Sequence, residues 1–210
     1  MIRPRLVSAA LLVLALSACG ILPDKETIAI YNPLPPALQA DPAWPASRAH
    51  VVVMRPTGGT LIDSPRIVVR PTADEWQVYK GAVWSDPAPD LLQAAVLRTL
   101  EDSGKLAGVG RRGSGVAGDF DLLMDIRRFD ADYAGGATPS AIVEVSAKLL
   151  SAKENLVRAN RVFRADAAAD GTDLPAVNRA FQIALGAITG DIAAWTLQET
   201  SRGDTRPEPR

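Results

Sequence analysis

Few residues in this 210-residue chain are able to do chemistry. It has one cysteine, Cys19, and one histidine, His50. A catalytic triad needs a histidine held beside its nucleophile, and a structural zinc site needs several cysteine or histidine ligands. Ser114, Ser140 and Ser146 stand in no recognisable nucleophile motif. The inventory therefore predicts that the protein is not an enzyme, holds no metal and uses no cofactor.

Five aspartates lie close together in the sequence and are the remaining candidates for a cation site. Calcium needs several oxygen ligands that converge on one point. The alternation of polar and apolar residues here predicts a strand, which spreads residues 119–125 over roughly 20 Å at about 3.3 Å per residue. We therefore expect a solvated sheet face and no metal site at these positions: Asp119, Asp121, Asp125, Asp130 and Asp132.

The glycines of residues 108–113 have the spacing of a dinucleotide-binding loop. That loop binds pyrophosphate because a strand precedes it and the amino end of a helix follows it. Here a predicted helix ends before the glycines and a predicted strand follows them. We expect a flexible loop that exposes Arg111 and Arg112, without a cofactor.

Cys19 follows a short apolar run, residues 6–16, in a chain that begins with two arginines. A basic start, an apolar run and small residues before a cleavage point are typical of a secretory signal peptide, and this run is shorter than the roughly 20 residues that span a bilayer. The sequence LSAC at 16–19 resembles the bacterial lipobox. In that motif the cysteine sulfur receives a diacylglycerol, the signal is removed before it, and the new amino terminus is acylated.

Lipidation of Cys19 would fix the protein to a membrane. Each buried methylene contributes about 0.8 kcal/mol, so one acyl chain binds only marginally, whereas three hold effectively permanently. The alternative is a secreted protein whose cysteine lies near the cleavage site by chance. A single cysteine forms no disulfide within the chain, even in an oxidising compartment. The fold must therefore rely on its hydrophobic core.

Charge argues against one class of partner. The chain has 23 Lys and Arg against 24 Asp and Glu, and loss of Arg3 and Arg5 with the signal peptide leaves three more acidic than basic residues. A protein that binds nucleic acid needs a basic surface, so nucleic acid is excluded as a partner. The remaining chain of about 190 residues suits one domain.

The sequence divides into four parts. Residues 1–18 are the signal peptide, and residues 19–48 are a lipidated, proline-rich tether with a first, edge strand at 27–31. Residues 49–198 form the folded domain. Residues 199–210 show no periodicity and are expected to be a disordered tail.

The folded domain is expected to be α/β (α+β). One helix follows an N-cap at Ser85 or Asp86 and ends at Gly104, and a longer helix is capped by Asp173. We expect a single domain in which these two long helices pack on a mixed, largely antiparallel sheet of about six or seven strands. Besides 27–31, β-branched or alternating runs predict strands at 49–54, 66–70, 75–81, 119–129, 141–150 and 156–166.

The last helix also invites a membrane interpretation, because Gly186 and Gly190 would suit a transmembrane dimer. Arg179, Gln182 and Asp191 interrupt its apolar span. We therefore expect close packing of this helix on the sheet.

Aromatic residues concentrate in the first half of the domain. Aromatics beside proline-rich loops are typical anchors at protein interfaces, but the packing of a helix on a sheet uses the same residues. Trp76, Tyr79 and Trp84 are our candidates for partner binding, with core packing as the alternative.

Three motifs carry a family resemblance: SPRIVVR at 64–70, WSDP at 84–87 and DFDLLMDIRRF at 119–129. Together with the lipobox and the final helix, they resemble the auxiliary lipoproteins of bacterial ABC-type transporters, whose best-known branch is the paraquat-inducible C-type lipoprotein. The resemblance covers nearly the whole mature chain. Many relatives carry an arginine before the tryptophan of WSDP. Val83 stands there in this chain, so a role of that arginine does not carry over.

The resemblance implies a non-enzymatic partner of a periplasmic MCE (mammalian-cell-entry) protein in an ABC-type phospholipid transport system that supports envelope integrity. Cys19, carrying palmitate, would hold the domain on the periplasmic face of the outer membrane. Gly20 supports this location, because aspartate at that position retains lipoproteins in the inner membrane of enterobacteria. Phospholipid and a second copy of the chain stay open as partners. The alternative is an envelope-maintenance lipoprotein that binds cell wall or another outer-membrane assembly complex.

Overall fold

The computed structural model describes residues 27–36, 40–115 and 117–204. The predicted signal peptide and the lipidation of Cys19 lie outside the described residues, as do residues 205–210 of the predicted tail. The described residues form two helices, α1 (Ala88–Ser103) and α2 (Leu174–Asp204). They also form nine strands: β1 (Ala29–Tyr31), β2 (His50–Val53), β3 (Thr57–Gly58), β4 (Arg66–Thr72), β5 (Glu75–Trp84), β6 (Gly108–Arg111), β7 (Phe120–Asp132), β8 (Ser140–Ser151) and β9 (Leu156–Ala168).

The nine strands join in one mixed sheet with β7 at its centre. One edge of β7 pairs antiparallel with β8 along its whole length, and β8 pairs antiparallel with β9. The other edge pairs in parallel with β2, β3 and β4 in succession. β6 extends the sheet beyond β2, and β5 and then β1 extend it beyond β4. This architecture confirms the α+β expectation and the edge position of β1.

The helices cover one face of the sheet and build the core there. Strand β7 contributes alternate side chains to this face until a bulge between Ile126 and Arg128 adds one residue. After the bulge the inward positions change from even to odd numbers, so that Phe129 and Ala131 are buried in the same core. The helices supply many of its aliphatic members: Leu91, Leu92, Val96 and Leu100 from α1, and Leu185, Ile188 and Ile192 from α2.

Two strands were not predicted, and one of them corrects the glycine-rich loop. β6 occupies Gly108–Arg111 and pairs in parallel with β2, with His50 opposite Gly108. A Cβ on Gly108 would lie 2.6 Å from His50 Cδ2, so glycine permits the close approach. Glycines also carry no side chains to show a period of two, which hides the strand from pattern analysis. The other missed strand, β3, has only two residues.

The helix ends agree in part with the predictions. Gly104 has φ +60 and ends α1, and the carboxylate of Asp173 accepts a 2.8 Å hydrogen bond from the Ala176 amide at the start of α2. The predicted N-cap of α1 is wrong, because the helix begins after Pro87 without a side-chain cap. Ser85 instead donates its amide to the Tyr31 carbonyl at 2.8 Å, which ties the end of β5 to β1.

Helix α2 continues to Asp204, so the predicted tail is helical at its start. Thr196 and Thr200 are fully buried there. Their hydroxyls donate to the carbonyls of residues 192 and 196, at 2.8 and 2.9 Å, which satisfies two polar groups inside the fold. Packing therefore extends the helix beyond the point where its sequence periodicity fades.

Helix α2 is also the one described helix that is long and apolar enough to cross a membrane. However, 67% of its most apolar window is buried inside the fold. It is a core helix, as expected from the polar residues that interrupt its apolar span.

The described part of the predicted tether packs on the domain. Pro33 is buried, and the Asn32 carbonyl accepts a 3.5 Å hydrogen bond from the Gln182 side chain on α2. Pro35 lies against Gly186 of the same helix, where an added Cβ would come within 3.3 Å of the proline Cβ. The proline-containing segment here packs against α2. The tether prediction is thus wrong for these residues.

Replacing Gly186 tests this packing. In Gly186→Leu the new side chain would occupy the space of Pro35 and displace it. Adding atoms to a well-packed position costs about 1–3 kcal/mol. We expect faster amide hydrogen exchange in β1, because the displaced segment around Pro35 would no longer hold β1 against β5. Ile183→Leu is the matched control, since residue 183 lies on the same helix and is 64% exposed. Unchanged exchange in β1 of Gly186→Leu would show that Pro35 does not hold the segment in place.

Candidate functional site

Trp84 is a core residue and not a surface anchor. It is 2% exposed, and its ring meets Phe181 edge-on at 5.0 Å and Phe129 at 6.1 Å between centroids. Phe129 and Phe181 stack on each other at 4.9 Å. The three rings join β5, β7 and α2. The core-packing alternative therefore holds for Trp84, and no partner reaches it while the fold is intact.

Tyr79 is half-buried and packs against the same core. Its hydroxyl oxygen is inaccessible to solvent. Burial, and then the neighbouring Tyr133 hydroxyl, raise the pKa of Tyr79 well above its ordinary value, so the phenol stays neutral. Tyr79 thus offers a partner only part of its ring.

Trp76 is the most exposed of the three predicted residues, at 47%. The guanidinium carbon of Arg70 lies 5.7 Å from the centroid of its ring, within the range of a cation–π contact. Arg70 also donates to the Ala73 carbonyl at 2.5 Å, which fixes the guanidinium at the β4–β5 hairpin. Trp76 is therefore a positioned aromatic side chain with an open surface.

An ion-pair network lies beside this pair on the sheet face that the helices leave uncovered, here called the open face. Arg128 donates to both carboxylate oxygens of Asp130, at 2.9 and 2.6 Å, and to Asp132 at 2.6 Å. Asp130 is only 1% exposed. Arg70 approaches Asp132 to 4.0 Å, which links the network to Trp76. A buried carboxylate requires such a partner, because an unpaired charge is costly to desolvate.

The sequence carries a signal for this network that is separate from the alternation of polar and apolar residues. An arginine followed by aspartates two and four residues later places all three side chains on one face of a strand. The bulge at the middle of β7 brings these even-numbered residues to the face that carries Asp121 and Asp125 earlier in the strand. Alternation counted without the bulge would place the two groups on opposite faces.

The five aspartates do not converge on one site. Asp119 accepts from the His50 amide at 2.8 Å, Asp121 from Arg112 at 2.8 Å and Asp125 from the Thr57 hydroxyl at 2.8 Å. Asp119 and Asp125 are exposed, as predicted for a solvated sheet face. That prediction is wrong for Asp130, which is buried and has its charge compensated by Arg128. Among the described residues, no three histidine, cysteine or acidic side chains are grouped to hold a metal ion.

Asp132 is held in its charged form by the network. Burial alone would raise the pKa of Asp132, but hydrogen bonds from Arg128 and the Ala134 amide, together with the charge of Arg70, hold it below its usual range. A carboxyl whose pKa is lower in the folded state stabilises the fold above its unfolded pKa of about 3.9. This stabilisation is lost as pH falls through the lower, folded-state pKa.

Asp132→Asn is therefore expected to lower the free energy of unfolding by about 1–3 kcal/mol near neutral pH, since it removes a charged hydrogen-bond acceptor. The difference from wild type should disappear as the pH falls below the folded-state pKa of Asp132. Asp125→Asn is the matched control on the same strand and should change stability by less than about 0.5 kcal/mol. Denaturant unfolding at several pH values measures both. A difference that persists in acid would contradict the ionic role of Asp132.

Comparison with solved structures shows the same fold elsewhere. Protein XCC0632 from Xanthomonas campestris, of family DUF330, is 41% identical, with a TM-score of 0.81 over 85% of this chain and 99% of that one. A hypothetical protein of Chlamydia trachomatis is 9% identical, with a TM-score of 0.52 over 74% of this chain and 99% of that one. The second likeness concerns the fold alone.

Sequence comparison gives the family. An uncharacterised protein of Bradyrhizobium diazoefficiens is 26% identical over 157 residues, which are 74% of this chain and 41% of that relative. The chain thus spans about two fifths of the length of this curated relative. Residues 32–193 match the family model of the ABC-type transport auxiliary lipoprotein component. The match covers strands β2 to β9, the whole of α1 and most of α2. The chain therefore belongs to the family of ABC-type transport auxiliary lipoprotein components.

Proposed function

We propose that this protein is a membrane-anchored, non-catalytic component of an MCE-type intermembrane phospholipid transport system and contributes to envelope integrity. The observation that carries the proposal is the family match over residues 32–193, which spans most of the folded domain. The family description names a transport auxiliary lipoprotein. The MCE partner and the lipid cargo are our extension of that description.

The anchor is assigned to Cys19. It is the only cysteine of the chain, it ends the LSAC motif, and it follows an apolar run. Three acyl chains on this residue would hold the domain permanently at a membrane. Gly20 supports the periplasmic face of the outer membrane as the location, because it is not the aspartate that retains lipoproteins in the inner membrane of enterobacteria.

The non-catalytic role is supported by how the polar side chains of the described residues are used. Acidic residues along β7 are bound to Arg112, Thr57 and Arg128, and they are spread along the strand. The single histidine faces Asp119 at 3.3 Å, and about half of each side chain is exposed. A solvated pair of this kind, without a nucleophile beside it, fits a surface role better than a reaction centre.

Contact with a partner is assigned to the exposed member of the predicted trio. Trp76 presents its ring to solvent, whereas Trp84 lies in the core and Tyr79 is half-buried. Aromatic side chains held in place lose little entropy on binding, which makes them common anchors of interfaces. Trp76 is thus the member of this trio that a protein or lipid partner is able to contact.

Affinity purification from detergent-solubilised envelopes tests the function. We expect the wild-type chain to fractionate with membranes, to have the mass of a triacylated chain that begins at Cys19, and to bring down an MCE-domain protein. Cys19→Ala should move the protein to the soluble fraction and reduce recovery of the MCE protein. Ser17→Ala keeps a small residue in the lipobox and is the matched control.

The outcomes separate the two halves of the proposal. A wild-type chain that is fully soluble would contradict the anchor. A membrane-bound chain that brings down only cell-wall or other outer-membrane assembly proteins would instead favour an envelope-maintenance function.

A further inference from the structure

Exposed apolar residues collect where β1 joins β5. Ile28, Ile30 and Trp76 are 60%, 71% and 47% exposed. Val78 and Val83 lie between them and are half-buried. We call these five residues the β1–β5 patch. Scattered apolar residues on a surface need no explanation, but a contiguous group marks a site of interaction.

Strand register places the patch on the open face of the sheet. Ile30 is opposite Val83, and Val83 is opposite Arg66. Val78 is opposite Val68, which follows Arg66 by two residues. Residues opposite each other or two apart share a face of a sheet. The patch is therefore not covered by either helix.

The patch lies next to the point where the chain enters the fold. β1 runs parallel to β5, with Ala29 opposite Ala82, so the chain enters β1 from the side of the β4–β5 hairpin that carries Trp76. Thr27 follows Cys19 by eight residues. That length of chain reaches at most about 28 Å when fully extended. An anchor on Cys19 would thus keep the patch close to the bilayer.

Basic residues line the same face beside the patch. Arg66 and Arg70 alternate with Val68 on β4, and the guanidinium of Arg70 stacks on Trp76. Tryptophan is enriched at membrane interfaces because one part of its ring is apolar and the N–H is polar. Arginine binds phosphate oxygens with the two N–H groups of its planar fork. Of the two arginines, Arg66 is exposed, whereas Arg70 is held by Ala73 and Trp76. Apolar isoleucines, an interfacial tryptophan and the exposed Arg66 together match a phospholipid surface.

Three of the other exposed apolar residues lie far from this entry point. Leu156, Val157 and Val162 belong to β9, at the opposite edge of the sheet from β1. Nothing in the described chain brings a lipid anchor near that edge. The short length of chain between Cys19 and Thr27 therefore favours the β1–β5 patch over the β9 residues as the surface nearest the membrane.

We infer that the β1–β5 patch rests on the phospholipid surface to which the chain is anchored, and that it sets the orientation of the domain on the membrane. The inference rests on the lipid anchor of the proposed function. The short connection between Cys19 and Thr27 would raise the effective concentration of membrane at the patch to the millimolar range. Weak apolar contacts are then enough to hold the patch on the membrane.

Site-specific fluorescent labelling of the full, lipidated chain tests this orientation. Cys19 is the only cysteine and would be blocked by its lipid, so a cysteine introduced elsewhere is labelled alone. Ile30→Cys and Trp76→Cys place an environment-sensitive dye in the patch, and Ile28→Cys is a second site if either variant folds poorly. Val162→Cys is the matched control, because it is 48% exposed at the far edge.

The labelled proteins are bound to phosphatidylcholine vesicles that contain a brominated lipid as quencher. We expect a blue shift and several-fold stronger quenching at the patch positions than at residue 162. Equal, weak quenching at all positions on vesicles that retain the protein would overturn the inference and leave the anchor intact. Failure of the wild-type chain to float with vesicles would overturn the anchor as well. Shielding at residues 30 and 76 only after a purified MCE protein is added would assign the patch to a protein partner and overturn the lipid assignment.

Discussion

The backbone groups on both edges of strand β7 must be hydrogen-bonded to neighbouring strands, and the rest of the fold depends on this pairing. The 13 residues of β7 pair with β8 along one edge, while three short parallel strands share the other. Buried backbone groups must be hydrogen-bonded, so a gap on either edge would expose the core to water. The bulge near its middle keeps apolar side chains under the helices on both halves of the strand. The same bulge gathers the acidic residues on the open face.

The sequence contains most of this architecture in its periodicities. Long runs with a clear period predict the seven longer or more apolar strands and both helices, because packing on one side forces that pattern. β3 and β6 are missed for different reasons. β3 is too short to show a period, and two of the four residues of β6 are glycines, which have no side chains to alternate. The bulge is equally hidden, since one inserted residue leaves composition unchanged.

The candidate surface was predictable only in part. Trp76 and Trp84 are the same residue type on the same strand. Only the position of each on β5 decides that Trp76 faces water and Trp84 faces Phe181. The pairing of Arg128 with Asp130 depends on strand geometry, which the alternation of polar and apolar residues does not show. The packing of Pro35 on Gly186 depends on a contact between residues about 150 positions apart, which a local reading of prolines as a tether does not contain.

Function in this account follows from position at a membrane and not from reactive groups. An anchor on Cys19, a short entry into β1 and an apolar, arginine-lined patch would hold the domain at the lipid surface in one orientation, which leaves the rest of the open face for a transporter. Photo-crosslinking in intact cells, from a reactive amino acid placed along the open face and analysed by mass spectrometry, tests this claim most directly. The account predicts covalent adducts to an MCE-domain protein and to phospholipid. Adducts confined to cell-wall or unrelated assembly proteins would contradict it.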